Sequence, residues 1–298
     1  YDGPGSLTFK EFVFDGNKEI ISIVFDVITP AKSVADKTKI DNKNTYTVTV
    51  TKERELSEGN WLPLESNPDA LTKFCRRMGL PSKYSFTDFI PDFMAMYNDV
   101  KAAVLLFPSG HKNIVAFKKE QMQELTKKKQ KLSKNIFYLY QHDKIGNACG
   151  TIALLHALAN SGIKLDKIKG KDGQETLSPI DEFVSKTKNM NFTERGWELL
   201  KATNIQEASE DTAEDVGTNQ TNAPTKDDQN VDGHFCAFVI IDGDLYELDG
   251  RKKFPINHGK SDANSFLSDA YNIVKTNFMN KAQDNPNFVF LPLCIPPF

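Results

Sequence analysis

The sequence predicts a mixed α/β fold in which an interior helix packs against a sheet. The run AAVLLF at 102–107 is apolar throughout, as expected of a strand buried on both faces. The segment ACGTIALLHALAN at 148–160 is apolar around its whole helical circumference, which indicates an interior helix. HFCAFVIID and LYELD meet at Asp242-Gly243-Asp244 and predict a hairpin.

The other elements follow from local patterns. Three further helical regions are predicted: 67–80, 118–134 with a solvated lysine face, and 177–198 with breaks. Two further strands are predicted, at 137–140 and at 288–298. The stretch 206–232 is rich in acidic and poor in apolar residues, which predicts a long mobile loop.

Length and composition exclude several classes of protein. The 298 residues, 39% of them hydrophobic, are enough for a sizeable core without disulfide bonds. A net charge of −3 argues against a nucleic-acid binder, and no apolar run approaches the ~20 residues of a membrane span. The four cysteines fall singly with no CxxC pair, which argues against a structural zinc site. Reduced thiols predict a cytoplasmic protein, and the nucleus is also compatible.

The chain divides by composition into three parts. Residues 1–6 (YDGPGS) are interpreted as a remnant of cloning. Residues 7–58 form a β-rich extension, with a predicted hairpin around Asp15-Gly16-Asn17 and a third strand at 44–51. Residues 59–298 form the main domain. The extension either pads the fold or binds a partner, and the sequence does not decide between these roles.

Cys149 is the candidate nucleophile. It falls in the first turn of the predicted interior helix, where unpaired amides and the helix dipole lower the pKa of a thiol. The other three cysteines lie inside apolar patterns, as a small core side chain does. For Cys149 itself, the core and the nucleophile interpretations are equally open.

A thiol nucleophile needs a base and a group that orients the base. His234 opens one strand of the predicted hairpin and Asp249 closes the other, which suits a side-by-side pair. His156 lies inside the interior helix and is interpreted as a core residue. The other histidines are predicted in loops and turns, namely His111, His142 and His258. A metal site built on His234 and Cys236 lacks further ligands at useful spacing, so we expect no metal and no cofactor.

Gln141 is the candidate oxyanion donor. Its side-chain amide, before the Cys149 helix, could act together with the backbone amide of Cys149. The order Gln–Cys–His–Asp resembles that of papain-like thiol proteases.

Three longer segments resemble the ubiquitin C-terminal hydrolase family, above all its small L-type members. They are WLPLESNPDALTKFCRRMGL at 61–80, NACGTIALLHALAN at 147–160 and LYELDGRKKFPINHG at 245–259. Together they extend the resemblance from Trp61 to the end of the chain. The resemblance implies a papain-like fold, with a central antiparallel sheet flanked by helices.

The resemblance also implies an activity, which is hydrolysis of ester, amide or isopeptide bonds after the C-terminal glycine of ubiquitin. Cys149 is then the nucleophile, His234 the general base and acid, Asp249 its orienter and Gln141 the oxyanion donor. The implied partner is ubiquitin or a ubiquitin-like protein, with no nucleic acid, no membrane and a monomeric chain. A crossover loop at about 206–230 is expected to restrict the leaving group to small or flexible adducts.

One position departs from the family pattern. The family glutamine stands six positions before the cysteine, and here Asp143 holds that position, with Gln141 two positions further back. Either the turn is longer and Gln141 keeps its role, or Asp143 replaces the amide and repels the oxyanion. The longer turn is favoured. The other register predicts a catalytically impaired ubiquitin-binding protein.

Overall fold

The computed structural model describes residues 61–169, 173–215 and 233–296, together with the backbone of four strands nearer the start of the chain. The chain forms two compact units, Tyr1–Ser57 and Glu58–Phe298. The proposed cloning remnant at 1–6 lies outside the described residues.

The first unit contains an antiparallel sheet. Its strands are β1 (Leu7–Phe14), β2 (Ile20–Val27), β3 (Thr38–Ile40) and β4 (Thr45–Val48). The order is β1-β2-β4-β3, so the predicted hairpin and the predicted third strand are present. The short β3 lies where the sequence predicted only loop. The role of this unit stays a prediction.

The second unit is built on a six-stranded antiparallel sheet. Its strands, including a separate β7-β8 ribbon, are β5 (Ser85–Phe86), β6 (Asn98–Pro108), β7 (Ile168–Lys169), β8 (Glu175–Thr176), β9 (Gly233–Ile241), β10 (Asp244–Leu248), β11 (Ile256–Lys260) and β12 (Val289–Ile295). The sheet order is β11-β10-β9-β6-β12-β5. The predicted hairpin is β9-β10, and the two interior strands β6 and β9 pair along their length.

Helices cover both faces of this sheet. They are α1 (Pro68–Arg77), α2 (Lys112–Lys128), α3 (Cys149–Asn160), α4 (Pro179–Lys186), α5 (Phe192–Leu199), α6 (Thr203–Ala213) and α7 (Phe266–Asn277). Alternate β9 side chains enter two cores: Phe235 packs with α3, whereas Cys236 packs with α7. The mixed α/β class with a central antiparallel sheet flanked by helices is confirmed.

The segment 137–140, predicted as a strand, has no regular secondary structure and belongs to none of the described sheets. The side chain of Asn160 bonds both the amide and the carbonyl of Phe137 at 2.8 Å, and the Leu139 amide donates to Nε2 of His156 at 3.1 Å. Side chains of α3 therefore satisfy backbone groups that a sheet would otherwise satisfy. The prediction of a strand was wrong because these partners are set by tertiary packing.

The acidic stretch after residue 206 also differs from its prediction. The predicted mobile loop, and the crossover loop placed at 206–230, begin inside α6. Bases of α1 pair with one carboxylate in this helix and one just after it: Arg77 Nη1 lies 2.6 Å from Asp211 Oδ2, and Lys73 pairs with Asp215. The prediction of a loop from 206 onward was wrong because composition does not show that this segment packs against α1. Residues 216–232 lie outside the described part of the chain.

A buried ion cluster joins α2 to the sheet. Lys118, predicted on a solvated face, is 4% exposed and places Nζ 2.5 Å from Glu247 Oε1. His258, predicted in a loop, lies in β11 and places Nε2 3.0 Å from Glu247 Oε2. Burial alone raises the pKa of Glu247, but Lys118 and His258 outweigh it and hold that pKa at about 2. The carboxylate is therefore charged and depends on both partners.

None of the described helices has the length and apolar character needed to cross a membrane.

Replacing Lys118 with alanine is expected to lower the free energy of unfolding by about 3 kcal/mol, because it leaves Glu247 buried with one cation fewer. Urea unfolding followed by circular dichroism measures the change. The exposed neighbour Lys119 is the matched control, and Lys119→Ala should stay within about 0.5 kcal/mol of wild type. Equal losses in the two variants would contradict a stabilising role for the Lys118–Glu247 pair.

Candidate active site

Cys149 lies where the sequence predicted it, as the first residue of α3. It is 5% exposed, and α3 holds it against the start of β9, where Gly150 leaves room for the ring of Phe235. Burial alone raises the pKa of this thiol, but its interaction with His234 outweighs burial. The pKa of Cys149 therefore lies below its ordinary value of 9.0.

His234 and Asp249 form a buried hydrogen-bonded pair at the open end of the β9-β10 hairpin. His234 Nε2 donates to Asp249 Oδ1 at 2.6 Å, and both residues are 2% exposed. Asp249 Oδ1 also accepts from the Arg251 amide at 3.0 Å, and Lys252 Nζ lies 3.9 Å from Oδ2. Burial alone raises the pKa of Asp249, but the charge of His234 outweighs it and holds that pKa well below its usual range.

The charge state of His234 follows from this arrangement. Burial lowers its pKa, whereas Asp249 and then the Cys149 thiol raise it, to about 9. Within the described part of the chain, Nδ1 has no hydrogen-bond acceptor, so this nitrogen is left for the thiol. The edge of the Phe107 ring packs against the imidazole with centroids 5.5 Å apart. The two pKa shifts together favour a thiolate beside an imidazolium.

Gln141 lies next to Gly250, the residue that follows Asp249. It is 6% exposed, its backbone amide donates to the Gly250 carbonyl at 2.7 Å and its side-chain Nε2 donates to the Gly146 carbonyl at 2.8 Å. Nε2 carries a second hydrogen that this bond does not use. Asp143 is exposed in a short 3₁₀ turn, Asp143–Ile145. Gln141 is thus buried beside the residue that follows Asp249, whereas Asp143 lies on the surface, and the oxyanion role of Gln141 stays a prediction.

Two residues that support the site were missed by sequence reasoning. An added Cβ at Gly250 would lie 2.8 Å from Ile152 Cγ2 and 3.4 Å from Gln141 Cβ, so glycine permits the close approach of these chains. The hydroxyl of Tyr138 lies within hydrogen-bond reach of the carbonyls of Asp249 and Lys252 and anchors the turn after Asp249. Gly250 follows Asp249 in the quoted motif, which was the available signal. Nothing in the local pattern marks Tyr138.

The remaining histidines are engaged elsewhere. His156 is buried, stacks on Tyr138 and has its pKa lowered by burial to about 4, so its interpretation as a core residue is confirmed. The others contact a separate partner each: His111 bonds Asp284, His142 packs on Trp197 and His258 bonds Glu247.

The described residues contain no group of three or more His, Cys, Asp or Glu side chains arranged to hold a metal ion. Cys236, which was considered beside His234 as a ligand, is fully buried, and burial raises the pKa of its thiol well above the ordinary value.

Comparison with known proteins gives the family. Residues 61–280 match the family model for ubiquitin carboxyl-terminal hydrolase, family 1. A ubiquitin carboxyl-terminal hydrolase of Aplysia californica is 37% identical over 229 residues, covering 74% of this chain and 95% of the relative. Human isozyme L1 is 34% identical over 238 residues, covering 78% of this chain and 97% of the relative. The chain therefore belongs to the ubiquitin carboxyl-terminal hydrolase family 1, and it is an enzyme of the cysteine-peptidase type.

A solved structure shares the fold. The Trichinella spiralis UCH37 catalytic domain, bound to ubiquitin vinyl methyl ester, has a TM-score of 0.58 at 20% identity, covering 81% of this chain and 98% of that one.

Alkylation of Cys149 by iodoacetamide is expected to show a pH midpoint below 9.0, because His234 lowers the pKa of the thiol. His234→Ala should move the midpoint to higher pH, since burial then acts with less opposition. Peptide mapping by mass spectrometry separates Cys149 from the other cysteines, in which burial raises the thiol pKa. The control is His142→Ala, which should leave the midpoint unchanged. An unchanged midpoint in His234→Ala would contradict an interaction between His234 and the Cys149 thiol.

Proposed function

We propose that this chain is a deubiquitinating thiol hydrolase that cleaves ester, amide or isopeptide bonds after the C-terminal glycine of ubiquitin. One observation carries the assignment to named residues: Cys149 begins α3, which packs against the start of β9, where His234 is bonded to Asp249, and all three residues are buried. A nucleophile, a base and an orienting acceptor in this order are what acyl transfer through a thiol requires.

The reaction follows in two balanced steps. The Cys149 thiolate attacks the glycine carbonyl carbon, and the tetrahedral intermediate collapses as the bond to the leaving group breaks. Protonated His234 gives its Nδ1 proton to the departing amine or alcohol, which leaves a thioester and a neutral imidazole. His234 then takes a proton from water, and the hydroxide attacks the thioester. Collapse of the second tetrahedral intermediate expels the Cys149 thiolate beside the imidazolium, and ubiquitin leaves as a carboxylate whose proton passes to solvent. Asp249 keeps the ring oriented and stabilises the imidazolium.

Gln141 is proposed as the donor that stabilises the oxyanion. Its burial next to Gly146 and Gly250, and the unused hydrogen on Nε2, support this role. The backbone amide of Cys149 at the start of α3 is the second proposed donor. Exposure of Asp143 argues against the alternative of an impaired ubiquitin-binding protein, in which a carboxylate would face the oxyanion.

Ubiquitin or a ubiquitin-like protein is the proposed partner. Two similar structures, at 20% identity, contain Trichinella spiralis UCH37 bound to ubiquitin vinyl methyl ester, which supports the choice. We further propose that the chain between α6 and β9 restricts the leaving group. This segment starts after Ala213, later than sequence analysis expected, and joins β9 at Gly233, beside His234. A cytoplasmic location and a monomeric state stay predictions.

Release of a fluorophore from the C-terminus of ubiquitin tests the proposal. Wild type should turn over the substrate, whereas Cys149→Ala should lose turnover and retain ubiquitin binding, because only the nucleophile is removed. Binding of ubiquitin to the alanine variant is measured by calorimetry. Ubiquitin binding without turnover in wild type would favour the impaired receptor, and the absence of both would overturn the proposal.

Substitution of Gln141 tests the oxyanion donor. Gln141→Ala is expected to lower kcat by about 10²–10³ with little change in KM, the cost of removing one such donor. The matched control is Asp143→Ala in the adjacent exposed turn, which should leave kcat within about twofold of wild type, as surface changes usually have small effects. A larger loss in Asp143→Ala than in Gln141→Ala would assign the position to Asp143.

A further inference from the structure

A basic groove lies between α2 and the turn after Asp249. Its volume is about 480 Å³, and its cationic lining residues are Lys119, Lys127, Arg251, Lys252 and Lys253. Among the residues that the structure describes, no aspartate or glutamate lines it. In a chain whose net charge is −3, five cations around one groove form a distinct local field.

These cations are available for a ligand. Lys119, Lys127, Arg251 and Lys253 are exposed, and among the described residues no ion pair engages any of them. Lys252 alone reaches a carboxylate, with Nζ 3.9 Å from Asp249 Oδ2. Glu124 of α2 pairs with Lys128 on a part of the helix that does not line the groove.

The groove is continuous with the proposed active site. A second cavity of about 330 Å³ is lined by His234 and Asp249 and shares Lys119, Arg251 and Lys252 with the groove. The groove therefore lies next to a cavity that reaches the proposed catalytic base.

The position of His234 decides which part of a substrate lies there. A histidine that protonates the departing amine must stand beside the leaving group, so the leaving-group side of the scissile bond lies on the imidazole side. The basic tail of ubiquitin would be repelled by five cations. The charge of the groove and its position next to the cavity lined by His234 therefore favour the chain beyond the scissile bond as its occupant.

We propose that this groove binds an acidic segment of the leaving group, namely Asp- and Glu-rich residues that follow the ubiquitin C-terminal glycine. The inference rests on the proposed function. It makes the enzyme selective for acidic peptide adducts, through contacts that act in addition to any limit on adduct size. Because the ion pairs between the groove and the acidic peptide form at exposed side chains, the selectivity is modest and weakens as the salt concentration rises.

Three ubiquitin fusions test the proposal, with C-terminal peptides of equal length that are acidic, neutral or basic. We expect kcat/KM to be highest for the acidic fusion, intermediate for the neutral one and lowest for the basic one. At low salt the acidic and basic fusions should differ by about three- to tenfold, the scale of a few exposed ion pairs. The difference should shrink at about 0.5 M salt, where screening is strong. Equal kcat/KM for the three fusions would overturn the proposal.

A charge reversal assigns the effect to the groove. Lys127→Glu combined with Lys253→Glu should abolish or invert the order of the three fusions, while release of a small fluorophore from ubiquitin stays unchanged. The matched control is Lys112→Glu with Lys128→Glu, which makes the same charge change on α2 outside the groove. An equal effect of the control pair would overturn the assignment to the groove.

Binding of the acidic peptide alone separates this inference from the proposed function. Fluorescence anisotropy should show binding of the labelled acidic peptide to wild type, and loss of binding in the Lys127/Lys253 reversal. If the fluorophore is not released but the peptide binds, the proposed function fails and the groove stands. If a labelled RNA oligonucleotide binds the groove more tightly than the peptide at about 0.15 M salt, where surface charges remain only partly screened, the acidic-peptide assignment is overturned.

Discussion

The hydrogen bond between His234 and Asp249 is the interaction on which the site depends. It spans the open end of the β9-β10 hairpin at 2.6 Å, and both of its residues are buried. Because it holds Nε2, the ring presents Nδ1 to the thiol of Cys149. The same bond keeps the pKa of the imidazole high, so a proton is available for a leaving group at neutral pH.

Two buried carboxylates two positions apart on one stretch of chain set the rest of the charge arrangement. Glu247 is neutralised by Lys118 and His258, and Asp249 by His234, with Lys252 nearby. A buried charge that lost its partner would be costly, so each carboxylate restricts where its cation can lie. This requirement draws α2 onto the sheet through Lys118. It also places the exposed lysines of α2 beside the turn that follows Asp249, where the basic groove forms.

The segment that carries Gln141 is held by hydrogen bonds and backbone packing instead of charge. Asn160 and His156 of α3 bind it at Phe137 and Leu139, and the Gly250 carbonyl accepts from the Gln141 backbone amide. Lack of a side chain at Gly250 lets the two chains approach closely. Thus one helix carries the thiol at its first residue and fixes, with its later residues, the segment that carries the proposed oxyanion donor.

The sequence by itself determined the interior strands, the interior helix, the hairpin and the family, because each depends on a local apolar pattern or on a motif of contiguous residues. It also named Cys149, His234 and Asp249, since a helix start and a short hairpin constrain their positions. Only the tertiary structure decided that Lys118 is buried, that residues 203–213 are helical and that 137–140 lies outside the sheet. In each case the deciding partner comes from another part of the chain: Glu247 for Lys118, α1 for α6, and α3 for the segment 137–140. Local composition does not indicate such partners, because burial and pairing depend on which surfaces meet after folding.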